Sequence, residues 1–291
     1  MTSFFQLLVS GIGMGCIYCL VAIEYTLIYN ASGLVNFGHE KFIMLGAYIF
    51  AGTMVLGLNL PTPIAILGAL ALMALFGIAA ATGLFAPLSR MHSNIYAVMG
   101  TIMLSKILGE AGRLLWGPAP FNLPDFIKGS FHIGEVSIPK VYPVIIVVTA
   151  ILLLVIDMMF KRTKIGKAMR CVAQDKTAAA LMGIDVDRNI AITVALSSVI
   201  CAIIGILIIP VFNVSLGMST MIALKGFSAG VVGGFGSIPG AIVGGLLIGV
   251  VESLYSGVGP TVYRDVLAFV LLIVFLLAKP TGIIAKKTAS R

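Results

Sequence analysis

The chain has 291 residues, of which 59% are hydrophobic and 10% charged, with a mean hydropathy of +1.11. A water-soluble domain is about 45–50% apolar and about 25% charged, so a single water-facing globule is excluded: too few charges exist to coat it. The formal net charge of +8 falls in short loops between apolar runs, where lysine and arginine orient a chain in a bilayer, and no nucleic acid is expected as a partner.

A helical span takes roughly 20 apolar residues. Apolar runs predict helices over 4–29, 42–60, 64–86, 95–115, 141–160, 190–212, 240–256 and 262–278. Met1 to Gly15 has no basic segment and reads as part of a retained first helix, not a cleaved signal peptide. Asn59-Leu60-Pro61-Thr62-Pro63 and Pro87-Leu88-Ser89-Arg90 read as turns, and 116–140 as a polar loop carrying four prolines. Residues 219–233 are apolar but only about 15 long, short for a crossing.

Seven cations, Lys161, Arg162, Lys164, Lys167, Arg170, Lys176 and Arg188, lie in 161–189, and Lys279, Lys286, Lys287 and Arg291 close the chain. Both segments are expected to be cytoplasmic. Parity allows this only if 219–233 also enters the bilayer as a short, broken or re-entrant segment, which leaves the N-terminus and the loop 116–140 extracytoplasmic. Lys41 and Arg90 then lie inside, Lys128, Lys140 and Arg264 outside, and Lys106, Arg113 and Lys225 within segments. The expected fold is all-α: a polytopic transmembrane helical bundle of about eight spans plus that segment, forming a single domain over 1–291.

Gly226, Gly230 and Gly234, then Gly236, Gly240 and Gly244, recur at every fourth position, with Gly245 and Gly249 beyond. Lipid offers no hydrophobic drive for helix association, so small residues at this spacing predict close helix packing. The stretch Gly233-Gly234-Phe235-Gly236-Ser237-Ile238-Pro239-Gly240 cannot continue a helix. It reads as a tight re-entrant turn, buried or lining a cavity, or as a plain interfacial loop.

The sequence carries no catalytic constellation. Gly166-Lys167 is followed by Ala168, so a P-loop fails, and the second histidine position of an H-E-x-x-H starting at His39-Glu40 is Ile43. No catalytic residue, metal site or cofactor is expected on this chain. Cys16, Cys19, Cys171 and Cys201 lie in or beside apolar runs and read as small buried hydrophobes. Lys106, Glu110 and Arg113 share a helix face and can neutralise one another. Glu24 and Glu252 have no sequence-local partner and are candidates for a polar pathway. Glu24 is alternatively close enough to the end of its span to reach interfacial water, and Glu252 lines or braces the pathway.

The loop is the most informative segment. Asp175 suits an N-cap and Gly183 a C′ position, predicting a short helix over 176–182 outside the membrane. Such a helix serves as a docking knob for a soluble partner or is an idle surface helix.

Residues 166–188 resemble the coupling loop of bacterial ABC-importer permeases, specifically the branched-chain amino acid permease family of the LivH type. Asn36-Phe37-Gly38-His39 with Met44-Leu45-Gly46-Ala47-Tyr48, the glycine-rich 227–241, Tyr263-Arg264-Asp265 and Lys279-Pro280-Thr281-Gly282 resemble that family's other signatures. Ala178, Ala179 and Gly183 fit the Ala-Ala-x-x-x-Gly spacing of the general importer-permease coupling motif, with Thr177 where that motif has Glu and no Leu-Pro ending, departures that suit the branched-chain branch, which lacks the strict motif; Gly166, Arg170, Asp175 and Asp187 complete the ATPase-coupling loop that the resemblance implies. The chain departs from the family at Glu40-Lys41, where Gly-Glu is common, and at Glu24, where glycine is common. The resemblance implies a permease subunit of the bacterial inner membrane that works with a second homologous permease, two cytoplasmic ATP-binding subunits that hold the ATP, and an extracytoplasmic solute-binding protein. Asn36, His39 and Glu252 are its candidate pathway residues, for a branched-chain or related amino acid. An ion-coupled secondary transporter acting alone is the competing reading; it calls for paired intramembrane carboxylates and an internal repeat, neither of which is visible.

Overall fold

The computed structural model describes residues 2–33, 35–89, 94–123, 126–127, 129–133, 136–260, 263–279 and 281–284. Arg90, Lys128, Pro280, Lys286, Lys287 and Arg291 lie outside the described residues. Among the described residues, twelve helices and one pair of antiparallel strands follow in order. They are α1 (Thr2–Ser32), α2 (His39–Tyr48), α3 (Thr62–Ala80), α4 (Ala86–Ser89), α5 (Asn94–Trp116), β1 (Ser130–Ile133), β2 (Val136–Pro139), α6 (Val141–Arg162), α7 (Lys164–Gln174), α8 (Lys176–Leu181), α9 (Val186–Ile208), α10 (Thr220–Gly233), α11 (Ile238–Ser256) and α12 (Arg264–Ala278). α2 and α3 each widen into π-helical turns, over Ile49–Gly57 and Ala81–Phe85. The chain is a multi-pass membrane protein.

Among the described residues six helices are long and apolar enough to cross a membrane: Phe4–Ser32, His39–Gly57, Thr62–Ser89, Val141–Arg162, Val186–Ile208 and Ile238–Ser256. α5, another expected span, has 23 residues but carries Lys106, Glu110 and Arg113, of which Arg113 and Glu110 pair at 2.7 Å. α12 has 15 residues, about 22 Å of helix. α10 is the short apolar segment expected over 219–233.

The chain divides into two compact units. In the first (Met1–Thr26, Pro124–Leu152, Met221–Arg291), α11 is central. A Cβ on Gly244 would lie 2.1 Å from the Ala229 carbonyl oxygen of α10, and one on Gly249 would lie 2.3 Å from the Gly15 Cα of α1. Glycine on two faces of one helix thus lets two neighbours close to backbone contact. In the second unit (Leu27–Leu123, Leu153–Thr220), α9 packs most extensively against α2 and α3. Gly46 meets Ala202, Gly205 meets the Ile43 carbonyl and Gly77 meets Ser198.

Several expectations need correction. Gly234 (φ 113°) and Gly236 (φ 88°) lie outside α10 and α11 and form the turn between them, not part of the packing stripe. A side chain at Gly234 would also strike the Ile284 carbonyl, because the segment after α12 pairs back on α10 through Ile283 N to Val232 O and Ile284 N to Gly233 O. Pro87 does not make a turn: after the π-helical stretch the helix continues through Ser89. α9 starts and ends four residues earlier than expected, because the Asp185 carboxylate accepts from Arg188 N and Pro210 stops the helix. Lys41 is not a loop cation; it sits on α2 with 14% of its side chain exposed. Cys171 is exposed on α7, whereas Cys16, Cys19 and Cys201 are buried. Glu24 does not reach interfacial water: α1 runs on to Ser32, and Glu24 is fully buried.

Candidate functional site

The segment 161–189 is built from local capping. The Thr163 side chain accepts from Gly166 N at 3.0 Å and starts α7 one residue after α6 ends. Gly166 is needed there because a Cβ would lie 2.3 Å from the Met159 carbonyl oxygen, so the two helices touch backbone to backbone. Asp175 then caps α8, one carboxylate oxygen accepting from Thr177 N at 2.8 Å and Ala178 N at 3.0 Å. Gly183, at φ 83° with nothing within 4 Å of where a Cβ would stand, ends the turn.

These residues separate into inward and outward groups. Gly166, Met169, Val172 and Ala179 are buried, while Arg170, Ala178, Leu181, Met182 and Gly183 are exposed and Asp187 half-buried. Leu181 and Met182 are 85% and 82% exposed, an apolar tip that water does not favour. Lys176 reaches back from α8 to the Ser32 carbonyl at the end of α1, and burial pushes its ammonium below the usual lysine range.

A second polar group surrounds the start of α2. Asn36 Oδ1 accepts from Gly38 N at 2.9 Å, turning the chain into the helix, while its buried Nδ2 has no hydrogen-bond partner among the described residues. His39 is fully buried with Nδ1 3.5 Å from Cys201 Sγ. Glu40 accepts from Ser105 at 3.2 Å, and Lys41 donates to the Leu216 carbonyl at 2.9 Å. Glu40 and Lys41, where the chain departs from the resembled pattern, therefore tie α2 to α5 and to the loop after α9.

In the first unit, Glu252 is far from unpartnered. Its carboxylate accepts from Tyr18 (3.0 Å), Lys225 (2.7 Å) and Arg264 (2.6 Å), and Lys225 also reaches Asp265 at 2.6 Å. Glu252 and Lys225 are almost completely buried, whereas Arg264 and Asp265 are 39% and 49% exposed. Two positive and two negative groups cancel, which is how charges persist in a low-dielectric interior. The cluster joins α1, α10, α11 and α12.

Residues 7–276 match the family described as the branched-chain amino acid transport system permease component. The chain is 34% identical over 298 residues to the high-affinity branched-chain amino acid transport system permease protein LivH of Salmonella typhimurium, covering 97% of this chain and 96% of that relative. The chain belongs to this family. This permease is also 33% identical over 296 residues to BraD of Pseudomonas aeruginosa, with the same coverage. Of solved structures, PsaBC from Streptococcus pneumoniae in complex with Fab superposes at a TM-score of 0.48 with 16% identity, covering 96% of the permease and 91% of that chain.

Sequence reasoning missed three features of the permease. α7 carried a signal, since Ile165, Met169 and Val172 recur at helical spacing. Lys225 and Arg264 were visible as charges in or beside apolar runs, but nothing local paired them with Glu252. The Lys176 contact with Ser32 carried no sequence signal.

Proposed function

We propose that this chain is the membrane-spanning subunit of an ABC importer for branched-chain or related amino acids, driven by separate ATPase subunits that dock on α7 and α8. The observation that carries this reading is the capped two-turn helix after Asp175, with its exposed Leu181-Met182 tip, in a chain of this family. An apolar tip beyond the last turn asks for a partner surface. In the proposed cycle, ATP-driven closure of the ATPases pushes on α8. Gly166 locks α7 onto the end of α6, so the push is transmitted to a span as a rigid-body shift. An extracytoplasmic binding protein delivers the solute, and a second homologous permease completes the pathway.

Asn36 and His39 are assigned to that pathway. The unpartnered Asn36 amide supports this, because a buried donor without an acceptor costs about 1–3 kcal/mol and a solute carboxylate would relieve it. Glu252 is assigned to bracing, since three donors already occupy its carboxylate.

The test is co-reconstitution with ATPase, partner permease and binding protein, measuring nucleotide-dependent uptake across a panel of amino acids. Leu181→Glu is expected to cut ATP-dependent uptake about tenfold or more, equivalent to about 1.4 kcal/mol at the docking contact, while the permease still inserts. Uphill transport by the purified chain without nucleotide would overturn the reading.

The proposed topology places 161–189 in the cytoplasm and 116–140 outside. Single cysteines at Ser137 and Thr177 are expected to react with an impermeant thiol reagent from outside only at residue 137; the opposite pattern inverts the assignment.

A further inference from the structure

We infer that Lys176 is a positioning residue of the transport cycle: it ties α8 to the end of α1 and carries the motion of the docked helix to the turn Asn36–His39. The inference rests on the reading above, in which the ATPases act on α8 and Asn36 and His39 belong to the pathway.

Of the seven cations in 161–189, six are exposed, whereas Lys176 is turned inward and half-buried. Its ammonium donates to the Ser32 carbonyl in the last turn of α1. A Cβ on Gly33, which leaves the helix at φ 72°, would lie 3.3 Å from the same nitrogen. The last carbonyls of a helix have no partner within it and carry the negative end of its dipole, so a lysine there is both a cap and a charge match. A donor already stripped of part of its water loses more on releasing that carbonyl than an exposed lysine would. The start of α8 and the end of α1 therefore move together.

Each side of this tie leads to a functional group. On α8, Lys176 is the first residue and Leu181 the last, about 8 Å apart along the helix, so a displacement of the exposed tip reaches the ammonium through one short rigid element. On the other side three residues separate Ser32 from Asn36, whose Oδ1 holds Gly38 N, while Thr101 of α5 accepts from Phe37 N at 3.3 Å. A shift of the α1 end thus arrives directly at the turn that starts α2. Gly166 gives α7 a purchase on α6; Lys176 gives α8 a separate one on α1. The two routes end in different spans, and the second leads into residues assigned to the solute.

The test compares the wild type with Lys176→Met and Lys176→Gln, which remove the charge, and with Lys176→Arg, which keeps it. In the purified full-length permease alone, amide hydrogen exchange over 33–38, a measure of local opening, is expected to quicken several-fold in the two neutral variants and to stay near wild type in Lys176→Arg. Exchange in α9 serves as the control for folding. In the co-reconstituted assembly the neutral variants are expected to bind the ATPases and hydrolyse ATP as the wild type does, because Lys176 faces α1 and not the docking tip. Solute carried per ATP should fall about tenfold, a typical coupling between two sites, and Lys176→Arg should restore most of it. Leu181→Glu differs by losing the ATPases themselves.

Unchanged exchange in the neutral variants overturns the proposal, since no tie exists. Faster exchange with unchanged solute per ATP overturns it too, since the lysine is then only a helix cap. Loss of ATPase binding in the neutral variants gives Lys176 to the docking surface and also overturns it. A wild-type assembly that takes up nothing on ATP overturns the importer reading and the transmission with it, whereas the exchange measurement, made without partners, still decides the contact.

Discussion

Glu252→Ala is expected to destabilise the folded permease by about 3–5 kcal/mol, the cost of leaving a buried cation without its partner. Lys225 would keep only the half-exposed Asp265, and Tyr18 would lose its acceptor. Removing both members of the buried pair should hurt less than removing one. Lys225→Met combined with Glu252→Leu deletes both desolvated charges and leaves Arg264 and Asp265, each partly exposed, to water and to each other. Thermal unfolding of the detergent-solubilised single and double variants measures the coupling. Additive losses, or a Glu252→Ala variant that melts with the wild type, would remove the cluster's role in bracing α10, α11 and α12.

The second large effect is steric. Gly249→Ala is expected to cost about 3 kcal/mol or more, at or above the top of the usual overpacking range, because the new methyl would meet the Gly15 backbone at 2.3 Å and the Gly11 carbonyl at 2.6 Å. Backbone cannot swing aside as a long side chain can, so α1 and α11 would have to separate. Gly230→Ala is the internal control. It belongs to the same fourth-position pattern, yet its added Cβ would meet nothing closer than 3.7 Å. Folded yield and melting temperature should fall sharply for the first variant and change little for the second. Equal behaviour would mean that spacing alone, and not contact, governs these glycines.

That contrast marks the limit of reading small residues from a string. The pattern from Gly226 to Gly244 has one period, but it mixes four situations. Gly226 makes room for the Val21 side chain, where a Cβ would lie 2.1 Å from Cγ1. Gly240 and Gly244 are in backbone contact with α10, Gly230 makes ordinary contacts, and Gly234 and Gly236 turn the chain. The short helix after Asp175 was legible because its cap and its stop lie within eight residues of one another, and hydrogen bonds of that range depend on local sequence alone. α7 carried a signal too, Ile165, Met169 and Val172 at helical spacing, but only Thr163 separates it from α6, so the two helices are hard to divide along the chain. Lys41 was misplaced by a helix that begins only two residues before it.

By itself the sequence determined that this is a membrane protein, where nearly every span lies, which segment carries the short capped helix and which family it joins. Each of these follows from runs of hydropathy, capping residues or ordered motifs, all properties of neighbours along the chain. Only the tertiary structure decided that Glu252 is held by Lys225, 27 residues before it, by Arg264, 12 residues after it, and by Tyr18, 234 residues before it. The same holds for the glycines that touch another backbone. Whether a buried charge is neutralised or a missing side chain is filled depends on which helices meet, and helices that meet in a bilayer need not be close in sequence.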